Sequence, residues 1–481
     1  MEDSHSEKNI KKRSLISVLS LFFQSGYSAV LGLGSNLILT IVLPPATFGI
    51  YILTLSAISF LNYFSDIGLA ASLIQKKEIS DDDVKTTFTV QQILILVLIG
   101  LAILLTPVIK NIYQFPQDAV HLYWALLISF FLSSLKTIPS IYLERKVQFQ
   151  KIVLVQIIEN TVFYITVSVL ALAGLGLTSF TYAVIIRAIV GTTVMYTLFF
   201  WMPKIGISMK SLRSLLSFGL PFQTNSFLAL AKDDLIMLFL GKILGLEALG
   251  YIGWAKRWAE APIRIISDNI NRILFPVFSR IQHDRTRIGR IIQKIVSYQS
   301  LLLIPVYAGM ILLMHEVVYL IPRYSKWAPA LPIFYLICIS AILSSYSTPF
   351  INLFNALGKV RLSFKFMLYW TVMTWVSVPF LTKFLGIYGF PITLVFLSLT
   401  AVVIIHMARR MVPFHFLLSI LPAVVAALIM SSVVFLITQL GVSYLVFFSA
   451  SIIGAVVYFS ILKFVFHINI ASEIRSLFSH E

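Results

Sequence analysis

Apolar residues run along this chain in blocks of about 18 or more, separated by short stretches rich in charge, Pro or Gly. At 1.5 Å per residue such a block matches the hydrocarbon thickness of a bilayer, so each reads as a membrane-spanning helix. The pattern predicts fourteen, near 15–43, 47–74, 87–109, 119–143, 152–173, 179–202, 215–242, 247–275, 292–314, 328–356, 363–384, 388–408, 414–438 and 442–465. The first has a basic flank (Lys11, Lys12, Arg13) like a signal peptide, but its apolar run continues to Leu43 and predicts a retained span.

One block departs from the rest. Within the eighth, Lys256, Glu260, Arg264, Asp268 and Arg272 recur every fourth residue, with Arg257 beside them. Facing lipid, five such charges would cost roughly 15 kcal/mol before snorkelling or pairing relieves some of it. At about 100° per residue, these side chains and Asn271 fall within roughly 160° of one another. The opposite face holds Ile252, Ala255, Ala259, Pro262, Ile263, Ile266, Ile270 and Ile273. A helix with one wet face at membrane depth lines a water-filled cavity, as in a transporter.

Composition agrees with the blocks. Of 481 residues 58% are hydrophobic and 12% charged, with a mean hydropathy of +0.91, which implies an integral membrane protein. The lone Cys338 excludes a disulfide framework, and the eight His are scattered without metal-ligand spacing. Most of the 37 Lys and Arg fall at the N-terminus and in the loops after even-numbered helices; only Lys110, Lys242, Arg323, Lys326 and Lys383 fall in the opposite loops. The positive-inside rule therefore places both termini in the cytoplasm. It also accounts for much of the net charge of +17 without nucleic-acid binding, and basic stretches such as Arg280–Lys294 are expected to touch anionic lipid head groups.

The two halves echo each other. Leu43-x4-Phe48-Gly49 returns as Leu244-x4-Leu249-Gly250, and Leu132-Ser133-Ser134 with Pro139 and Lys146-Val147 returns as Leu343-Ser344-Ser345 with Pro349 and Lys359-Val360. We expect an all-α polytopic protein with two six-helix bundles, 1–203 and 204–412, followed by two further helices and a cytoplasmic tail over 413–481. A parallel repeat of this kind favours a central cavity and a rocking, alternating-access motion. Pro107, Pro139, Pro262, Pro305, Pro349 and Pro379 supply bends.

Few groups are left to carry chemistry. Asp66, Glu159, Asp233, Asp234, Glu260 and Asp268 are the acids well inside spans; Lys136, Arg187, Lys232, Lys256, Arg257, Arg264 and Arg272 are the bases. On helix eight four bases face two acids, an excess that attracts an anion. The planar fork of Arg suits phosphate oxygens, and Trp254, Trp258, Asn269 and Asn271 are placed to stack on or hydrogen-bond a sugar. The expected substrate set is Arg257, Arg264, Lys256, Lys232, Trp254 and Asn271, with Arg257 and Arg264 on a diphosphate-bearing lipid or an anionic glycan and Glu260 and Asp268 as release partners. Lys232-Asp233-Asp234 reads as a local ion pair plus a free carboxylate, so Asp233, Asp234, Glu260, Asp268 and Asp66 are the ion-coupling candidates. Asp66 also reads, with Asn62 and Tyr63, as a buried structural group, and so does Arg187 with Glu159. Asp81-Asp82-Asp83 caps the third helix with Ser80 rather than binding a metal. There is no phosphate loop and no H-E-x-x-H zinc motif, and the outer loops are too short for a glycosyltransferase or polymerase site.

A series of motifs carries a family resemblance: Phe48-Gly49-Ile50-Tyr51, Asp66-Ile67-Gly68-Leu69 through Glu78, Leu143-Glu144-Arg145-Lys146-Val147-Gln148-Phe149, Phe218-Gly219-Leu220-Pro221, Leu246-Glu247-Ala248-Leu249-Gly250-Tyr251 and Phe275-Pro276-Val277-Phe278-Ser279-Arg280. In this order the chain resembles Wzx-type oligosaccharide flippases of the multidrug/oligosaccharidyl-lipid/polysaccharide exporter superfamily, over about residues 15–410. The resemblance implies a MATE-like pair of bundles in a bacterial inner membrane. It implies movement of an undecaprenyl-diphosphate-linked glycan to the outer leaflet for surface polysaccharide assembly, alongside other assembly proteins. The superfamily's alternative activity is ion-coupled antiport of drugs or metabolites, which a net basic cavity disfavours. No enzyme activity and no cofactor are expected, and the energy source is a proton gradient, a sodium gradient or the membrane potential. A sodium site known on helix eleven of a related flippase has no acid to carry it in Phe364–Phe384.

Overall fold

The computed structural model describes residues 2–267, 271, 274 and 277–468, and, among these, side chains except those of 2–19, 22, 220–222 and 224–226. Every predicted block is helical, and no strand occurs among the described residues. We number the rods α1 (Glu2–Val42), α2 (Pro45–Asp66, then Leu69–Gln75), α3 (Asp81–Leu104, then Thr106–Tyr113), α4 (Gln117–Ser134, then Thr137–Arg145), α5 (Phe149–Leu172), α6 (Thr178–Leu198) and α7 (Met209–Leu230 through Ile236–Leu244). The second set is α8 (from Leu246–Pro262), α9 (Arg285–Leu320), α10 (Leu331–Ser345, then Ser347–Ala356), α11 (Val360–Leu385), α12 (Gly389–Ser398, then Thr400–Arg409), α13 (Phe416–Thr438) and α14 (Tyr444–Phe464).

Among the described residues, ten helical stretches can cross a membrane by length and composition, or eleven with the bent α4 pair. The difference from fourteen has a physical source. One stretch, Val360–Arg409, contains both α11 and α12, while α7 and α8, which carry most of the intramembrane charges, do not qualify among the described residues. Those two are also irregular. α7 widens to a π-helix over Ala231–Leu235, and α8 does so over Ile263–Ser267, directly after Pro262. A proline inside a helix has no N–H to give to the ladder and crowds the preceding turn, so the backbone there widens.

Local signals set the helix starts. Pro45 occupies the first turn of α2, where a missing N–H costs nothing. At α3 the Ser80 hydroxyl accepts from the Asp83 N–H (3.2 Å) and the Asp83 carboxylate accepts from the Ser80 N–H (3.0 Å), a complete capping box. Asp81, Asp82 and Asp83 pair with Lys204, Lys85 and Lys76, so the acidic triplet serves the helix start, as the sequence indicates. Asp284 caps α9 by accepting from the Arg287 N–H at 2.8 Å.

The chain divides into two compact units, Met1–Gly253 and Trp254–Glu481, each with its own core. In the first, α1 and α5 are zipped by polar pairs: Tyr27 with Thr161 (2.8 Å), Asn160 donating to Ser28 (3.0 Å) and Ser35 with Ser168 (2.9 Å). Within a membrane such pairs and small residues, not a hydrophobic effect, hold helices together. α2 also meets the start of α8 here, where Gly49 lies against the backbone of Leu246 and Gly250 against that of Pro45. In the second unit, Phe278, Ile292, Phe350, Phe354 and Ile404 centre one core, and Ala423, Ala426, Met430, Ala450 and Tyr458 join α13 to α14.

Candidate functional site

α8 presents the charge predicted for it, with a defined pairing. Glu260 lies between Lys256 (3.7 Å) and Arg264 (2.9 Å), one turn to each side. Arg257 has no carboxylate within ion-pair distance among the described residues. Three bases against one acid leave this stretch two charges positive. Arg264 is well exposed, while Lys256 and Glu260 are about one-quarter exposed. Asp268, Asn269 and Arg272, which the sequence reading adds to the stripe, lie outside the described residues.

Asn271 is described, beyond the π segment that ends at Ser267. Among the described residues its Oδ1 is buried without a hydrogen-bond partner, as are the Trp258 Nε1 and the Ser267 Oγ. Three unsatisfied buried polar atoms on one irregular helix are costly for folding. On the packed side, the Tyr307 hydroxyl of α9 donates to the Ala259 carbonyl at 2.7 Å, anchoring the helix just before the distortion.

Trp254 has a different role from the one expected. It is 1% exposed, stacks on Trp327 (centroids 5.5 Å apart, planes at 11°) and donates from Nε1 to the Tyr324 hydroxyl at 2.9 Å. Both its faces and its polar tip are engaged in the core, which leaves no surface for a sugar.

On α7 the charged motif coincides with the π segment. Lys232 Nζ lies 2.5 Å from Asp233 Oδ1, and Asp234 is partnered as well, in place of the free carboxylate expected there. π segments concentrate at functional sites in helical proteins; the α7 motif falls on one, and of the α8 charges described Arg264 does.

Asp66 ends the first piece of α2. Ile67 and Gly68 follow with φ of 43° and 81°, and Asp66 Oδ1 accepts from the Ala70 N–H at 3.0 Å to start the second piece. A side chain on Gly68 would run into the backbone of Gly219, so the Asp66-Ile67-Gly68 and Phe218-Gly219-Leu220-Pro221 motifs interlock. Glu159 does not pair with Arg187. It pairs with Lys136, and the Arg187 guanidinium lies over the Phe163 ring at 5.6 Å.

Sequence reasoning missed one residue altogether. Arg145, within the Leu143–Phe149 motif, donates to the carbonyls of Leu73 (2.7 Å), Ile74 (3.1 Å), Lys76 (2.5 Å) and Lys77 (2.8 Å). Leu73 and Ile74 lie in the last turn of α2 and Lys76 and Lys77 just past it, where a cation also complements the helix dipole. In the second unit, a cavity of about 260 Å³ opens between α9 and α13. Its wall includes Lys294 from the basic stretch, Gln293, and the hydroxyls of Ser297, Tyr298 and Ser419.

A family model described as polysaccharide biosynthesis protein matches residues 38–332, more than half of the chain and the whole series of motifs from Phe48 to Arg280. The chain belongs to this polysaccharide biosynthesis family. Within it, the chain is 26% identical over 350 residues to the lipopolysaccharide biosynthesis protein WzxC of Escherichia coli K12, covering 71% of this chain and 70% of that one. It is 24% identical over 345 residues to the succinoglycan biosynthesis transport protein ExoT of Rhizobium meliloti, covering 71% and 69%. In fold it is similar to the lipid II flippase MurJ in an inward closed conformation, with a TM-score of 0.77 at 14% identity over 94% of this chain and 99% of that one. An inward-facing multidrug resistance MATE family transporter is similar at a TM-score of 0.58 and 16% identity, over 81% and 94%. The family's fold is thus the all-helical exporter architecture expected from the motifs.

Proposed function

We propose that this protein flips a lipid-linked oligosaccharide, carried on undecaprenyl diphosphate, from the cytoplasmic to the outer leaflet of a bacterial inner membrane by alternating access, supplying surface polysaccharide assembly. The observation that carries this reading is the α8 stretch. Among the described residues it has three bases against one acid, at membrane depth, in a chain of the polysaccharide biosynthesis family. Arg257 and Arg264 offer planar donor pairs to diphosphate oxygens, with Lys256 as further positive charge. Glu260 competes with the diphosphate for Lys256 and Arg264 and thereby assists release. A cationic drug would meet repulsion at this stretch, which sets glycolipid above drug antiport.

Both termini lie in the cytoplasm by the Lys/Arg distribution. The cavity at Lys294 then opens at cytoplasmic head-group level, where its ammonium and hydroxyls suit an anionic lipid. The protein is a transporter and not an enzyme, and it works beside the polysaccharide-assembly proteins that use its product.

The test uses cells that depend on this chain for surface glycan. Arg257→Glu and Arg264→Glu are expected to insert normally, abolish surface glycan and accumulate its lipid-linked precursor in the inner leaflet. Normal delivery by both variants overturns the reading. Mass spectrometry of lipid retained by the gently purified chain identifies carrier and glycan together.

A further inference from the structure

Of the five bases that fall in the outer loops, two share the loop between α9 and α10: Arg323 and Lys326. Cations are disfavoured on that side of a membrane, so a pair in one short loop calls for a reason. The loop is also braced. The Tyr444 hydroxyl of α14 donates to the Leu320 carbonyl (2.9 Å) at the end of α9. Two turns follow, from the Tyr324 N–H to the Ile321 carbonyl (3.1 Å) and from the Trp327 N–H to the Tyr324 carbonyl (2.9 Å). Ser325–Ala330 is a 3-10 helix, in which every third residue falls on one row. Tyr324, Trp327 and Ala330 form the buried row, which leaves Arg323 and Ser325 exposed and Lys326 half-buried.

This arrangement carries a cost. Arg323 has a φ of 64°, in the left-handed region that a residue with a Cβ adopts at the expense of strain. Lys326 gives up part of its water beside a second cation, and the two repel each other. Arg323 has no carboxylate within ion-pair distance among the described residues. Strain and like charge held together on a braced loop are both offset by a bound anion.

The brace is α8 itself. Trp327 stacks on Trp254, and Trp254 donates to the Tyr324 hydroxyl, so both large buried residues of the loop grip the helix that carries the basic stretch. Arg257 follows Trp254 by three residues, about 4.5 Å further along the axis and about 60° around it. α8 enters from the outer side, so the loop lies outward of Lys256 and Arg257. All of these residues belong to the second unit. Cations therefore continue outward along it in steps, from Arg264 to Arg257 with Lys256, and then to Lys326 with Arg323.

We propose that Arg323 and Lys326 form an outer anion site that takes the diphosphate of the lipid-linked glycan as it leaves Arg257. Arg323 offers a planar fork, Lys326 a compact charge, and Ser325 a neutral hydroxyl between them. A diphosphate spreads its charge over two phosphoryl groups and so answers both cations at once, whereas a phospholipid phosphodiester, with one charge, answers one. The step is an exchange of partners with no covalent change. It draws the anion off α8 on the outer side and so favours delivery over return. The inference rests on the flippase reading for the identity of the ligand and for which side is outer; the site is tested by binding alone.

The full chain in phosphatidylcholine nanodiscs carries a trifluoroethylthio label at Ser325→Cys, Cys338 being buried, and the fluorine resonance is followed as farnesyl diphosphate is added. The resonance is expected to shift to saturation, to need a higher concentration of inorganic diphosphate, and to ignore farnesol. Arg323→Gln and Lys326→Gln are each expected to raise the midpoint roughly tenfold or more, as the loss of one charge-assisted bond does, while Arg257→Gln leaves the shift in place. Arg323 is exposed, so if Lys326→Gln does not fold, Arg323→Gln decides alone. No shift in wild type, a midpoint indifferent to these substitutions, or a shift that disappears in Arg257→Gln overturns the proposal. An equal shift from phosphatidylglycerol placed in the nanodisc, or from inorganic diphosphate at the same concentration, overturns the assignment to a lipid diphosphate. A wild-type shift in a chain that delivers no glycan in cells overturns the flippase reading and leaves the anion site standing; glycan delivery by a wild type that shows no shift does the reverse.

Discussion

Gly49 and Gly250 meet backbone to backbone where α2 crosses the start of α8. A Cβ on Gly49 would fall on the Leu246 carbonyl, and one on Gly250 on the Pro45 carbonyl. The positions are related by the same spacing as the sequence echo, so 45 and 49 face 246 and 250 reciprocally. The absence of a side chain is what lets the two helices approach this closely. Gly49→Val and Gly250→Val are each expected to cost about 1–3 kcal/mol through overpacking. The check is thermal unfolding in detergent with Gly100→Ala as control, since Gly100 has open space around it and its replacement is expected to be neutral or slightly stabilising. Equal melting of all three variants would contradict the close crossing.

Arg145 predicts a split between charge and geometry. One guanidinium serves four carbonyls at the end of α2, which an ammonium cannot reach together. Arg145→Lys keeps the dipole complement and is expected to recover only part of the stability lost in Arg145→Ala, about 2 kcal/mol, the scale of a charge-assisted hydrogen bond. Hydrogen exchange localises the effect, with faster exchange expected over Leu69–Gln75. Full rescue by Lys would show that charge alone matters.

The sequence made much of this legible and concealed a specific remainder. Hydrophobic period placed every helix, and the Ser80-Asp83 spacing declared its cap, because both depend on residues within one turn or one rod. The π turns at Ala231–Leu235 and Ile263–Ser267 were hidden, since a wheel assumes a constant 100° per residue. The charge at α8 was visible, but the burial of Trp254 was not, because Trp327 and Tyr324 lie some 70 residues away in sequence. Glu159 was given the wrong partner for a similar reason: Lys136 and Arg187 are both intramembrane bases, and only tertiary packing says which one faces the acid. Gly191, which makes room for that acid, was an available but unread signal.

Trp254 supplies a clean discrimination between packing and sugar recognition. If it is core, Trp254→Phe retains most of the ring stacking and loses the bond to Tyr324, with glycan delivery largely preserved. Trp254→Ala is expected to destabilise the second unit by about 3–5 kcal/mol. The paired measurement is melting temperature and surface glycan per inserted molecule. Loss of delivery in Trp254→Phe at unchanged stability would return Trp254 to the substrate.

The order of the α8 charges gives the strongest test of how an anion is held. Glu260 is shared by Lys256 and Arg264, so part of their charge is already answered, whereas Arg257 has no such partner among the described residues. A diphosphate entering this stretch competes with Glu260 for Lys256 and Arg264 but has Arg257 to itself. Arg257→Gln is therefore expected to weaken binding of a short-chain isoprenoid diphosphate more than Lys256→Gln does. A charge-assisted hydrogen bond of about 1.5–3 kcal/mol puts the larger loss at roughly 10- to 150-fold. Glu260→Gln works in the opposite direction, tightening binding while slowing turnover, because it removes the group that reclaims Lys256 and Arg264 on release. Titration calorimetry on the purified chain at two ionic strengths checks both halves, since affinity from exposed charge falls as salt rises. If Glu260→Gln weakens binding, the carboxylate is a ligand-positioning group, and its assignment as the competitor of the diphosphate fails.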